Sequence, residues 1–288
     1  MGDLDDAKRL SEVFATTLEI ARDTPEGKEA ARSIGRSVVT LAKAVENALL
    51  PIAVANFVLE KGKHYLKNSF SKDLEIATRD IPPECLVEPK LSIAGPAIQG
   101  LAFSHEEEPL RKMYLNLLAS SMNAERQLET HPAFAEVIRQ LGARDAKILK
   151  DLASGDISHP LISVTIKTSD PLGKLIWQRH ILPYNFIDDS GEIYARSGDR
   201  DVPTILDNLR RLGLVEIDYS TFLTKPGSYD WVDSNPVYMH CVRQEMPAGN
   251  SPDYDRGYLR LTDFGRSFVV AVLGPGALLK DLNSRDVV

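Results

Sequence analysis

Apolar residues recur at spacings of three and four up to about residue 153, and after residue 156 they fall in short β-branched runs separated by turn residues. A three-to-four spacing gives a helix one apolar stripe, whereas alternation gives a strand one apolar face. The chain is therefore expected to be α+β and mainly α, with a helical first region and a second region where strands and helices share a core. At 288 residues it has room for two modest domains. The pattern places them at 1–130, a helical domain, and 131–288, a helix pair followed by an α+β domain.

The first stripe, Ile34, Val38, Leu41, Val45, Ala48 and Ile52, predicts a long amphipathic helix. It runs into a nearly uncharged stretch ending at Leu59, shorter than the ~20 residues a spanning helix needs, so a helix buried on most sides is the plainer reading. Cations flank it, however: between Lys28 and Lys72 stand eight basic and three acidic residues. A basic rim around an apolar helix also suits a peripheral membrane segment. Leu49, Leu50, Ile52, Val54, Phe57 and Val58, within an apolar helix 38–59, are therefore candidates for membrane or partner contact.

Prolines at 82, 83, 89 and 96 remove backbone donors and predict an extended connector from Asp80 to Pro96. Ser104 with Glu107 forms a capping-box pattern ahead of the stripe Leu110, Met113, Tyr114, Leu117, Leu118 and Met122, although Pro109 can displace the start. His131-Pro132 opens a helix carrying Phe134, Val137, Ile138 and Leu141, and a further helix covers 143–153. In the second region, 162–166 reads as a strand and Asp188 to Gly191 as a turn. Val202, Ile205, Leu206, Leu209 and Leu212 form the inner stripe of a helix over 201–212 that stops at Gly213. Strands over 215–219 and 258–261 follow, and a closing helix opens at Thr262-Asp263-Phe264-Gly265. Helix, strand, long loop, strand, helix is the order of a winged helix, with 201–212 in the recognition position.

None of the six histidines forms an HExxH or a Cys/His pair, and each is expected to be structural or exposed. Cys85 and Cys241 stand alone, so neither a disulfide nor a zinc site is expected. Neither a phosphate-binding glycine loop nor a GxSxG elbow occurs. Carboxylates beside a lysine occur in the runs Asp253 to Arg256 and Asp170 to Lys174, but neither has a strand pattern around it. No catalytic residue, cofactor or metal is expected. A net charge of −7 disfavours coating nucleic acid, which requires basic surface to displace counterions. With no secretory leader visible, the cytoplasm is the expected location.

Five strings in order carry a resemblance. They are Ile81-Pro82-Pro83-Glu84-Cys85-Leu86-Val87-Glu88-Pro89; Glu107-Glu108-Pro109-Leu110-Arg111 leading to Leu117-Leu118-Ala119-Ser120-Ser121-Met122; His131-Pro132 with Phe134; Arg139-Gln140-Leu141 followed by Asp145-Ala146-Lys147-Ile148-Leu149; and Leu261-Thr262-Asp263-Phe264-Gly265-Arg266. Together they resemble the Abi-alpha (abortive infection alpha) family over roughly residues 30 to 275. The resemblance implies a bacterial protein of phage defence, in which an infected cell stops growing before phage can spread, and it brings no established catalytic residues.

The expectation is thus a defence protein that acts by binding, as a sensor or interaction module, on a protein partner or phage component. A homo-oligomer remains open. The alternatives are a membrane-active effector using the apolar helix and a winged-helix DNA-binding regulator with weak affinity. Candidate contacts for nucleic acid or a partner are Asn208, Arg210, Arg211, Lys225, Arg256 and Arg260. Asp207 stands among them, and the region 201–270 holds seven basic and ten acidic residues, which counts against a nucleic-acid face.

Overall fold

The computed structural model describes residues 58–168 and 173–278. The predicted helices at 34–52 and 38–59, with Leu49, Leu50, Ile52, Val54 and Phe57, lie outside the described residues; Val58 is the first residue of α1. Among the described residues no helix is long and apolar enough to cross a membrane.

The fold is α+β. Six helices come first: α1 (Val58–Asn68), α2 (Phe70–Thr78), α3 (Leu91–Ser104), α4 (Glu108–Ser121), α5 (Ala133–Arg139) and α6 (Ala143–Ser154). The second part holds β1 (Ser158–Lys167), β2 (Lys174–Ile181), β3 (Phe186–Ile187), β4 (Ile193–Ala195), α7 (Val202–Arg211), β5 (Val215–Asp218), α8 (Pro236–Val242), β6 (Ser251–Leu261) and α9 (Asp263–Leu273). Two compact units share these elements. One takes the described residues up to Lys147 together with Ser267–Ala277, the other Ile148–Arg266, so the division falls inside α6 and α9.

In the helical unit α3 is central, packing on α1, α4 and α5. The extended connector expected up to Pro96 ends earlier, because α3 already begins at Leu91 and contains Pro96. Pro96 is exposed while Ile93, Ala94, Ala97, Ile98, Leu101 and Ala102 are buried, so the ring sits on the solvent side and the burial of the opposite face outweighs one missing hydrogen bond. Ser104 is the last residue of α3 and caps nothing; α4 starts after Glu107, with Pro109 in its first turn, where a missing N–H costs little. Two glycines allow the close crossings. A Cβ on Gly62 would lie 2.4 Å from the Ala102 carbonyl oxygen, and one on Gly100 would lie 2.2 Å from the Tyr114 hydroxyl. The last carbonyls of α9 lack partners within their helix and are capped by α4 and the segment after it. Asn116 donates to Val272 O at 2.9 Å, Ser120 to Ala271 O at 2.9 Å, and Arg126 to Val270 O.

The second unit is built on an antiparallel sheet of order β2-β1-β6-β5, with a separate β3-β4 hairpin around the predicted Asp188 to Gly191 turn. The expected pairing of 215–219 with 258–261 is present, Val215 opposite Leu261 and Ile217 opposite Leu259. Both strands seen at 162–166 and 258–261 are longer than the apolar pattern showed, because charged residues continue them: β1 reaches Lys167 and β6 starts at Ser251. The segment between β5 and β6 folds back over the sheet. Val232 and Cys241 join Ile162, Val164 and Ile181 in a buried cluster edged by Tyr229, Trp231, Val237, Tyr238 and Tyr254.

Candidate functional site

Among the described helices α7 has the largest contrast between its faces. Val202, Ile205, Leu206 and Leu209 are buried, and the helix packs on β2 and β5. Gly213, with φ of 73°, ends it in the left-handed region that glycine adopts without strain. Arg210 and Arg211 are exposed in its last turn, where cations complement the helix dipole. Arg211 donates to Asn208 Oδ1 at 2.8 Å, which engages the amide oxygen of that candidate.

The six contact candidates lie in three places: Asn208, Arg210 and Arg211 on α7, Lys225 in the loop after β5, and Arg256 and Arg260 on β6. Arg260 binds Glu216 at 2.8 Å, and the Arg256 guanidinium lies 3.9 Å from the centre of the half-exposed Phe222 ring. The two β6 arginines are thus already engaged within the fold.

Asp207, the acid that stood among the outward residues of α7, has an inward partner. Its Oδ1 is 3.1 Å from Nε2 of His180, whose side chain is 1% exposed. The other imidazole nitrogen, Nδ1, is 3.0 Å from the Tyr219 hydroxyl, which also accepts the His180 backbone N–H at 3.1 Å and lies 3.3 Å from the Ile162 carbonyl oxygen. Three elements or their ends (α7, β2 and the end of β5) therefore meet on one ring, and the Tyr219 hydroxyl extends the network to β1. Burial pushes the His180 pKa below its ordinary value, and the nearby Arg179 and Arg210 push the same way, against the opposing pull of Asp207. Burial likewise raises the Tyr219 phenol.

Two features of the backbone make this arrangement. The β1-β2 register shifts twice, between Ile162 and Val164 and between Val164 and Thr165, so β2 bulges. Within that irregular stretch His180 has φ of 57°, the one non-glycine residue with positive φ among the described residues. Tyr219 reaches His180 by passing over Gly257, where a Cβ would lie 2.7 Å from Tyr219 Cδ1 and 2.3 Å from the Asp218 carbonyl oxygen. Sequence reasoning placed His180 only among structural or exposed residues. Its partners stand 27 and 39 residues away, and no local spacing announces such a contact.

The run Asp253 to Arg256 sits on a strand, contrary to expectation: Asp253 and Asp255 lie in β6; of the other run Lys174 opens β2, and Asp170 lies outside the described residues. They are drawn together as ion pairs. Lys174 Nζ is 2.5 Å from Asp255 and 3.6 Å from Asp253, and Lys167 is 3.1 Å from Asp253. Among the described residues no group of three or more His, Cys, Asp or Glu could hold a metal. Cys85 and Cys241 are both free thiols, and burial raises the pKa of each.

The closing motif also has a structural account. Thr262 Oγ1 accepts the Gly265 N–H at 2.9 Å, and a Cβ on Gly265 would sit 1.9 Å from the Leu214 carbonyl oxygen, so this turn must be bare for α9 to start against the chain entering β5. A family model described as abortive infection alpha matches residues 62–272, from α1 to the last turn of α9. The chain belongs to the abortive infection alpha family. That membership suggests a defence-related role. No curated protein and no solved structure matches the chain.

Proposed function

We propose that this abortive infection alpha protein acts by binding, as a sensor or interaction module, and that the exposed end of α7 carries the contact to a protein partner or phage component. The observation behind this reading is α7 itself: four buried apolar residues fix it on β2 and β5, while Arg210 and Arg211 stand out from its last turn. Arginine is one of the residue types enriched among the side chains that carry most of the energy of protein interfaces. The reading puts the protein in the cytoplasm, where a phage component would be met. The test is phage challenge of a bacterial strain in which the intact chain gives protection. Replacing Arg210 and Arg211 by alanine should reduce protection at least tenfold with an unchanged melting temperature; full protection by that variant would mean that the contact lies elsewhere.

A winged-helix reading is favoured by the order α6, β1, α7, β5, β6, α9 and by the adjacency β1-β6-β5. A protein contact fits better than a DNA contact. Residues between β5 and β6, the position of a wing, fold over the sheet through Val232 and Cys241, and Arg260 is bound by Glu216. Duplex DNA should accordingly bind weakly and release steeply with salt. Tight binding at physiological salt that survives loss of Arg210 and Arg211 would refute this preference.

A further inference from the structure

Strand β2 is an edge of the four-stranded sheet, with β1 on one side of it. Among the described residues no backbone group of Leu175, Ile176 or Trp177 bonds to anything on the other side. Such an edge offers a row of N–H and C=O groups to an incoming chain. A strand with one face on a core buries every second residue. Here three consecutive apolar side chains are exposed instead, Leu175 by 50%, Ile176 by 53% and Trp177 by 40%. Trp177 is the residue that the second register shift leaves without a partner in β1, because Ile176 lies opposite Thr165 and Gln178 opposite Val164. A bulge re-aims a side chain in this way. The indole lies beside His240 of α8, 6.2 Å between ring centres, with much of its surface still open to solvent.

The charges beside this apolar run select what can lie on it. Lys174, at its start, is already matched by Asp253 and Asp255. Arg179, just past its end, and Arg210, in the last turn of α7, are both exposed and both close to His180. The Asp207 carboxylate is taken by His180, and neither arginine has an ion pair among the described residues. Two unmatched guanidinium groups beside an apolar edge are complemented by carboxylates on the occupant. A second copy cannot supply them by pairing β2 with itself, since Lys174 to Ile181 contains no acidic residue.

We propose that the edge of β2 from Leu175 to Arg179 takes up an extended segment of a protein partner, which adds to the sheet as a further strand. The segment lays apolar side chains on Leu175, Ile176 and Trp177 and brings carboxylates to Arg179 and Arg210. Strand addition draws affinity from backbone hydrogen bonds and selectivity from side chains, so the partner carries a short apolar or β-branched run with acidic residues at one end. The part given to Arg210 rests on the reading of α7 as the contact surface, whereas the edge and Arg179 stand apart from it. The probe is a capped peptide of two aspartates joined to alternating valine and threonine, made with the aspartates at either end to allow both strand directions. A second pair of peptides carries lysines in place of the aspartates. With the full chain, one aspartate peptide should bind at least tenfold more tightly than its lysine counterpart and slow hydrogen exchange over 175–177. Ile176→Ser should weaken that binding several-fold. Arg179→Glu should reverse the charge preference at an unchanged melting temperature; if it does not fold, Arg179→Gln should narrow the preference. Equal affinity for the two charges, exchange over 175–177 that the peptide leaves unchanged, or no saturable binding would overturn the proposal. So would dimers in sedimentation that Ile176→Ser dissociates, since the occupant would then be a second copy. Peptide binding as described, with phage protection lost in Arg179→Glu and full in the Arg210/Arg211 variant, would support the edge and retire the α7 contact alone.

Discussion

His159 and His180 sit in the same sheet unit, both buried, and each has a tyrosine hydroxyl at Nδ1, yet they are used differently. His159, near the start of β1, has Tyr184 at 2.6 Å and places Nε2 3.0 Å from the Leu152 carbonyl oxygen. The hydroxyl and the carbonyl are uncharged groups, and the second is backbone. His180, near the end of β2, has a carboxylate in place of the carbonyl, a left-handed backbone, and a tyrosine with three contacts to serve. The first ring fills a core; the second ties a helix to two strands and the segment after a third. A buried histidine is therefore not one kind of feature, and its meaning comes from the charge and mobility of what it touches.

The largest effect should come from closing the passage that only the second site needs. Gly257→Val places side-chain atoms against the Asp218 carbonyl and the Tyr219 ring, so either the β5-β6 pairing or the Tyr219 path must shift. A loss of about 3 kcal/mol is expected from such overpacking, measurable by urea denaturation. Should the variant keep the stability of the intact chain, the crossing of Tyr219 over Gly257 would not be a constraint.

A smaller effect separates the two tyrosines. Tyr184→Phe withdraws one hydroxyl from one ring nitrogen, for about 1 kcal/mol. Tyr219→Phe leaves the His180 N–H, Nδ1 and the Ile162 carbonyl without that hydroxyl together, for about 2 kcal/mol or more. Equal losses in the two variants would show that the His180 network is no more than a second core histidine.

How far these features could be read from the sequence follows from their range. Helices α4 to α7 and α9 show in the sequence because each buries a stripe repeated every three or four residues, as Leu110, Met113, Tyr114 and Leu117 do. Helix α3 does not show: its prolines and glycines suggest a connector, and the small residues that let it approach Tyr114 and α1 weaken its stripe. Strand β2 does not show either, because Leu175, Ile176 and Trp177 are all largely exposed and no alternation marks an inner face. Helix α8 is a short insert whose one fully buried residue is Cys241. The contact candidates on α7 were legible as polar positions of an amphipathic helix. That Asp207 turns to His180, and so subtracts less from the basic end of the helix than its charge implies, depends on a bulge in a strand the pattern did not show.

The smallest expected effect sharpens the contrast through pH. Burial holds the folded pKa of His180 below its ordinary value of about 6.5. Between those two values the unfolded chain binds a proton that the folded chain does not, so stability must rise with pH there. The contribution of His180 is thus complete above about pH 6.5 and is lost as pH falls from that value towards the folded pKa. Other groups titrate over the same range, so the informative quantity is the difference between two chains. Urea denaturation of the intact protein and of His180→Asn at pH 7.5 and pH 5.5 gives it: the intact protein should lose more stability on acidification than the variant does. Parallel losses would place the proton elsewhere and leave His180 with the same role as His159, a buried ring beside a tyrosine hydroxyl.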